Sequence, residues 1–436
     1  MMPFLNYRIW QKCYFLELKN EKNCAKRFTI MAEYASLSGT EGQRVVKAKM
    51  KTERMMIIIQ AITNGIGLDR TIIGNFEITG IDFERALSFS EEKVSIECSG
   101  ENLYYLKDGH AFSRLKIVDN YMFGVCTVYM KCMNGTRFVY ASMDISIGTV
   151  RETNFQNQTM EEFKLRLGAI REYLVNKYGV VADFMQATFR NLEINVTLPL
   201  KHKFKEYHRV FNLMMYNVVL RNSKPTLEFK AENKKNAEQE VTGICKKNNC
   251  LEVKIYDKAR QLREQNKADL LGEYMRLEIT LLTTRKIREV FGTNRVYQIT
   301  NKMIEQYFEK QCRKLLIKPY EKWKEKNREQ LKKIMEEHRG KSERNWKANL
   351  LKQCSNLEQK NLLPVLLDID DLLQIMKETD RHGNYQRDKR SLLQQAELYT
   401  VYLNHDSRKF EEIFSKLQQI FSKSHINHIC DVNACA

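Results

Sequence analysis

Three segments of this chain keep a strict two-residue alternation of apolar and polar side chains, a period no helix can use and a half-buried sheet requires. In residues 191–198 (NLEINVTL), Leu192, Ile194, Val196 and Leu198 share one face, which leaves Glu193, Asn195 and Thr197 on the other. In residues 251–258 (LEVKIYDK), Leu251, Val253 and Ile255 stand opposite Glu252, Lys254, Tyr256 and Lys258. In residues 274–282 (YMRLEITLL), Met275, Leu277, Ile279 and Leu281 alternate with Arg276, Glu278 and Thr280. A shorter segment, residues 226–230, sets Glu228 and Lys230 against Leu227 and Phe229. Paired in one sheet with helices on its apolar side, these strands present a common polar face that gathers Glu193, Glu278, Tyr256, Lys258 and Arg276.

The rest of the chain divides around that sheet. Residues 1–73 lack a sustained period and read as an N-terminal arm or extension. Residues 74–300 read as a catalytic domain that opens with short β-branched runs, among them EITGIDF, VSIECSG, GVCTVYMKC and RFVYASM. The Asn134-Gly135 pair marks a hairpin turn between two of them. Apolar spacing predicts helices over 159–178 and from about 204 to 220. Residues 301–436 read as a helical C-terminal domain with a DNA-binding or interaction role. Its stretch 310–352 holds 15 Lys and Arg against 6 Glu, with Tyr320, Trp323 and Trp346 interleaved. The solvated face of a packed helix and core aromatics account for this stretch as well as a DNA contact does. Pro319 and Pro364 are expected to start or kink helices. Two short helices, 368–379 and 390–402, are joined by a polar loop and resemble a DNA-reading pair.

Charge narrows the partners. With 72 Lys and Arg against 54 Asp and Glu, the net charge of +18 favours nucleic acid or an acidic membrane surface. No apolar run approaches the length of a membrane span, and no secretory signal is recognisable. The 11 cysteines occur without CxxC pairs, which suits reduced thiols and a cytoplasmic location. His425, His428, Cys430 and Cys435 near the C-terminus match no standard zinc spacing and read as a frayed tail.

The polar face suggests phosphoryl transfer. A tyrosine is a weak nucleophile at its ordinary pKa near 10, so attack on a phosphate needs cations that favour the phenolate and a metal that polarises the phosphate. Lys254 and Lys258, two residues either side of Tyr256, are placed to supply the field. Glu193 and Glu278 offer hard oxygen ligands suited to Mg²⁺ or Mn²⁺. Lys254 and Arg276 also suit phosphate contacts on DNA, and Glu278 beside Arg276 suits a structural ion pair.

The run IYDKARQL at residues 255–262, followed by MRLEITL and preceded by LEINVTL, resembles the rolling-circle replication initiators of plasmids and filamentous-type phages, tyrosine nickases related to the HUH endonucleases. The resemblance covers about residues 121–282. It implies an α+β fold with an RRM/HUH-like antiparallel sheet, helices on one face and a helical C-terminal domain after it. It places the nicking tyrosine on Tyr256 with its lysine on Lys258, the acidic strand on Glu193, and an Arg-x-Glu strand on Arg276 and Glu278. The His-x-His metal pair of many relatives is absent, so a carboxylate-based metal site is implied. The implied activity is sequence-specific, metal-dependent nicking and joining of origin DNA through a 5′-phosphotyrosine, with a host helicase and polymerase as partners and a homodimer as a compatible assembly. The competing reading is a DNA-binding protein without catalysis, a repressor or decayed initiator; a membrane-surface or RNA-binding scaffold leaves the aligned Glu, Tyr and Lys unexplained.

Overall fold

The computed structural model describes residues 65–434 apart from 101, 147–154, 156, 224–225, 233–238, 266–271, 341–344, 362–367, 381–382, 399–402 and 404. Most of the expected arm, Pro364 and Cys435 therefore lie outside the described residues, as do the side chains of His425, His428 and Cys430.

Fourteen strands occur among the described residues: β1 (Gly67–Gly74), β2 (Glu77–Ile81), β3 (Val94–Glu97), β4 (Tyr104–Tyr105), β5 (Ala111–Phe112), β6 (Arg114–Val118), β7 (Val125–Met133), β8 (Thr136–Ser146), β9 (Val180–Asp183), β10 (Thr188–Leu200), β11 (Leu227–Glu232), β12 (Gln239–Lys247), β13 (Leu251–Asp257) and β14 (Glu273–Leu281). Ten of them form one antiparallel sheet in the order β11-β12-β13-β14-β10-β1-β8-β7-β6-β3. The β7–β8 hairpin turns at Asn134 and Gly135, whose φ values of 52° and 77° are those of a type I′ turn. The α+β architecture expected from the sequence is present, and so is its helical C-terminal region.

Helices follow or separate the strands: α1 (Phe83–Leu87), α2 (Met160–Tyr173), α3 (His208–Asn217), α4 (Lys258–Glu264), α5 (Thr284–Phe291), α6 (Asn301–Cys312), α7 (Lys318–Gly340), α8 (Trp346–Asn361), α9 (Ile369–Glu378), α10 (Tyr385–Leu398) and α11 (Asp406–Ala434). None among the described residues is long and apolar enough to cross a membrane. The expected helix at 159–178 starts with a capping box between Thr159 and Glu162 and ends in a π turn before Gly179, at φ 68°. The apolar sides of β10, β13 and β14 are almost wholly buried, and α5, α6 and α11 pack on β10 while α3 packs on β12. Each such Leu or Ile contributes about 1.5–3 kcal/mol of burial, which fixes the opposite, polar side as the one left for chemistry.

Two boundaries differ from the sequence reading. The arm was expected to run to residue 73, yet β1 lies between β10 and β8 in the middle of the sheet. Its alternation is interrupted at Asp69 and Arg70 by a shift of register against β10. Residues beyond 300 also do not stand apart. Ile304, Phe308 and Leu316 before α7, and Phe410, Ile413, Leu417 and Phe421 of α11, belong to the same core as the sheet. A separate small core joins the far half of α7 to α8, α9 and α10 through Leu331, Met335, Leu350, Leu372 and Leu392. Tyr320 stacks on Phe410 with ring centroids 3.8 Å apart, and Trp323 and Trp346 pack against the two cores, so these aromatics are structural. Pro319 sits one residue into α7, directly after a π turn at Arg313–Ile317.

Candidate active site

Register alone brings the polar residues together. On β14, Arg276 lies between Tyr256 of β13 and Thr197 of β10, and Glu278 lies between Lys254 and Asn195. Tyr256 reaches diagonally and donates its hydroxyl hydrogen to Glu278 Oε1 at 2.6 Å. Lys254 Nζ donates to Glu278 Oε2 at 3.2 Å and stands 3.9 Å from both Glu193 and Glu252. Tyr256, Lys254, Glu193 and Glu278 line one cavity of about 370 Å³, with Arg70, Arg260 and Asp69 among the other walls.

Asp69 is the member sequence reasoning missed. Between the pairs Leu68↔Ile194 and Thr71↔Leu192, β1 carries two residues, Asp69 and Arg70, where β10 carries only Glu193. This is a β-bulge, a device that re-aims a side chain. It sends the Asp69 carboxylate into the cluster, while Arg70 pairs with Asp144 at the cavity's edge, Nε to Oδ1 being 3.0 Å. Carboxylate oxygens of Asp69, Glu193 and Glu278 lie within 4.8 Å of one another. Three hard oxygen donors at that spacing, on a half-buried face, are a donor set that can hold a divalent cation. The readable signal was the run TII between Gly67 and Gly74, β-branched and bounded by glycines.

A second missed residue is Gly243 on β12, a strand absent from the sequence reading. It pairs with Tyr256, and a Cβ built there would stand 2.7 Å from Tyr256 Cβ and 3.0 Å from a ring carbon of Phe229. The glycine is what lets the tyrosine lie against its neighbouring strand.

Three expected roles are corrected by the geometry. Arg276 was expected to suit DNA phosphate contacts or a pair with Glu278; it is fully buried, out of reach of a phosphate in solvent, while its charge does act on Glu278. Its Nη1 donates to Asp69 Oδ2 at 2.8 Å, its Nε to Thr197 at 2.9 Å and its Nη2 to the Phe155 carbonyl at 2.9 Å. Lys258 was expected on the strand beside Tyr256, but β13 ends at Asp257, which caps α4, and Lys258 opens that helix. Its Nζ donates to Gln261 at 2.8 Å and lies 5.6 Å from the Tyr256 ring centre. Burial, reinforced by Arg276, lowers the Lys258 ammonium to about 7, so it carries only part of the expected charge at neutral pH. The Tyr256 hydroxyl is accordingly not favoured as phenolate: burial first, then the Glu278 charge, raises its pKa well above the ordinary value. Lys254 serves the carboxylates rather than the tyrosine. Glu228, on β11, faces His208 at 3.2 Å, away from the cluster.

The carboxylates divide in character. Burial raises Glu193, and the neighbouring charges of Glu278 and Asp69 raise it further, well above the ordinary range. Burial also acts to raise Glu278, but Lys254, Arg276 and the Tyr256 hydroxyl together outweigh it and hold Glu278 below its usual value. Glu278 is thus the ionised acceptor of the Tyr256 hydrogen, and Glu193 is the carboxylate that gains most from an added cation.

No protein-family profile matches the chain, and no curated protein matches it. A solved structure of a rolling circle replication initiator protein from Geobacillus stearothermophilus aligns with 52% of this chain and 77% of its own, at 16% identity and a TM-score of 0.28.

Proposed function

We propose that the chain is a metal-dependent DNA nicking and joining enzyme that initiates rolling-circle replication, with Tyr256 as nucleophile. The observation that carries this reading is the short hydrogen bond from the Tyr256 hydroxyl to Glu278, inside a cluster of three carboxylates that opens on a cavity. Asp69, Glu193 and Glu278 would hold Mg²⁺ or Mn²⁺, which supplies charge neutralisation and polarises a phosphate. Glu278 accepts the tyrosine proton as Oη attacks phosphorus, the bond from phosphorus to the 3′-oxygen breaks, and that oxygen takes up a proton. The product pair is a 5′-phosphotyrosine and a free 3′-hydroxyl. One phosphoester replaces another, so the step is reversible and the strand can be rejoined without a nucleotide cofactor. Lys254 and the buried Arg276 position the carboxylates, and Lys258, over the ring, is placed to exchange a proton near neutral pH.

The partners of this reading are origin DNA, a host helicase and polymerase, and a second copy of the chain where termination needs another nucleophile. The test is incubation of the full chain and its Tyr256→Phe variant with single-stranded DNA from its own coding element, with Mn²⁺ or EDTA. The expected result is a covalent protein–DNA band that needs the metal and vanishes in the variant. Tight binding to origin DNA with no adduct would instead establish the non-catalytic DNA-binding reading.

A further inference from the structure

A second cavity, about 910 Å³, lies on the helical side of the sheet and shares no lining residue with the one around Tyr256. One wall is the continuous helix from α6 through the π turn into α7, which contributes Lys310, Lys314, Lys318 and Lys322. The spacing of four puts all four on one ridge, with their backbone positions about 6 Å apart along an axis that rises about 1.5 Å per residue. None of these lysines forms an ion pair with a carboxylate among the described residues, and the one acidic residue of the lining, Glu309, is bonded to Arg313 at 2.8 Å. The other wall carries Tyr216, 59% exposed, and Val219, 83% exposed, at the end of α3.

A regular row of unpaired cations facing an exposed aromatic ring is the chemistry that holds a single nucleic-acid strand: charges track the phosphates and a ring stacks on a base. We propose that this groove binds single-stranded nucleic acid, the lysine row along the backbone and Tyr216 under a base. It gives the proposed enzyme a second strand site, remote from the reacting phosphate, and its use for a displaced strand rests on that reading; the binding itself does not.

The test is fluorescence anisotropy with a labelled 20-mer of oligo-dT in EDTA, where no chemistry occurs, using the full chain in a Tyr256→Phe background. The triple variant Lys314→Glu, Lys318→Glu, Lys322→Glu is expected to bind about 100-fold more weakly at 0.1 M salt. Its slope of log affinity against log salt should shrink by about 2, from about 0.7 per lost phosphate contact. Tyr216→Ala is expected to lose about tenfold with the salt slope unchanged. An unaltered thermal melt shows that these exposed substitutions leave the fold intact. Unchanged affinity and slope in the triple variant would overturn the proposal. So would a loss confined to duplex DNA with Tyr216→Ala silent, or a loss confined to vesicles containing phosphatidylserine. Absence of any covalent band from the unaltered chain in Mn²⁺ would overturn the nicking reading alone and leave this one standing.

Discussion

Two of the places where the described residues set tyrosine hydroxyls against a buried carboxylate, around Asp119 and around Glu278, do opposite things with the same pair. Asp119, whose side chain is 2% exposed, accepts from the Tyr173 and Tyr178 hydroxyls at 2.9 and 2.7 Å, from Lys177 at 3.0 Å and from the backbone amides of Tyr121 and Met122. Burial acts to raise it, yet five donors for one carboxylate hold it at about 2. Glu278 accepts from Tyr256 in a cluster with two more carboxylates, and the cations acting on it are Lys254, Arg276 and the weakly basic Lys258. The first arrangement is satisfied by the protein itself and can only stabilise. The second has more negative charge than its own donors balance, and Glu193 bears the excess. A buried acidic group with surplus donors marks structure; one with a deficit, beside a cavity, marks a site for a cation and a phosphate.

The comparison is broken most severely at Glu278. Glu278→Gln removes the proton acceptor and a metal ligand together, and covalent adduct formation in Mn²⁺ should fall at least about 10³-fold in a gel assay. Gly243→Val pushes a side chain into the space of Tyr256, so adduct formation should drop about 10²-fold in the same assay, the scale of a 1 Å misplacement. Asp119→Ala acts on the other pole. It should cost about 3 kcal/mol in urea unfolding by stranding buried donors, with adduct formation per folded molecule unchanged. Tyr178→Phe should cost only about 1 kcal/mol, whereas Tyr256→Phe should abolish the adduct.

Stability against pH separates the two acids with opposite signs. Asp119 has a depressed folded pKa, so its contribution is full above the unfolded value near 3.9 and is lost as pH falls through about 2. Glu193 has a raised one, so its ionisation penalises the folded state above that pKa and the penalty disappears as pH falls toward 4.3. In metal-free buffer Glu193→Gln should therefore raise the urea midpoint at pH 8, with the gain shrinking toward pH 5. Asp119→Asn should show a loss that is constant over that range and fades only below pH 4.

Much of the candidate site was legible because a sheet's side-chain period is local. The alternation of residues 192–198, 251–256 and 275–281 placed Glu193, Lys254, Tyr256, Arg276 and Glu278 on one face, and the register confirms that they meet. Asp69 was hidden by the bulge that makes it useful: two polar residues in a row at Asp69 and Arg70 destroy the alternation from which β1 would have been read. Gly243 was hidden because QEVTGICKK alternates poorly, and its purpose exists only once Tyr256 lies opposite. Lys258 was misplaced because the strand's period was carried one residue past Asp257, a helix cap.

Sequence by itself determined the strands whose period is unbroken, the helices with a cap or an apolar stripe, and the sign of the surface, since each depends on neighbours a few residues apart. Tertiary structure alone decided that Arg276 turns inward to Asp69 across 207 residues of chain, that β1 belongs to the middle of the sheet, and that α11 returns to the sheet's core. These depend on which distant segments exclude water from one another, and charge or polarity at a single position does not reveal whether its partner is solvent or another part of the chain.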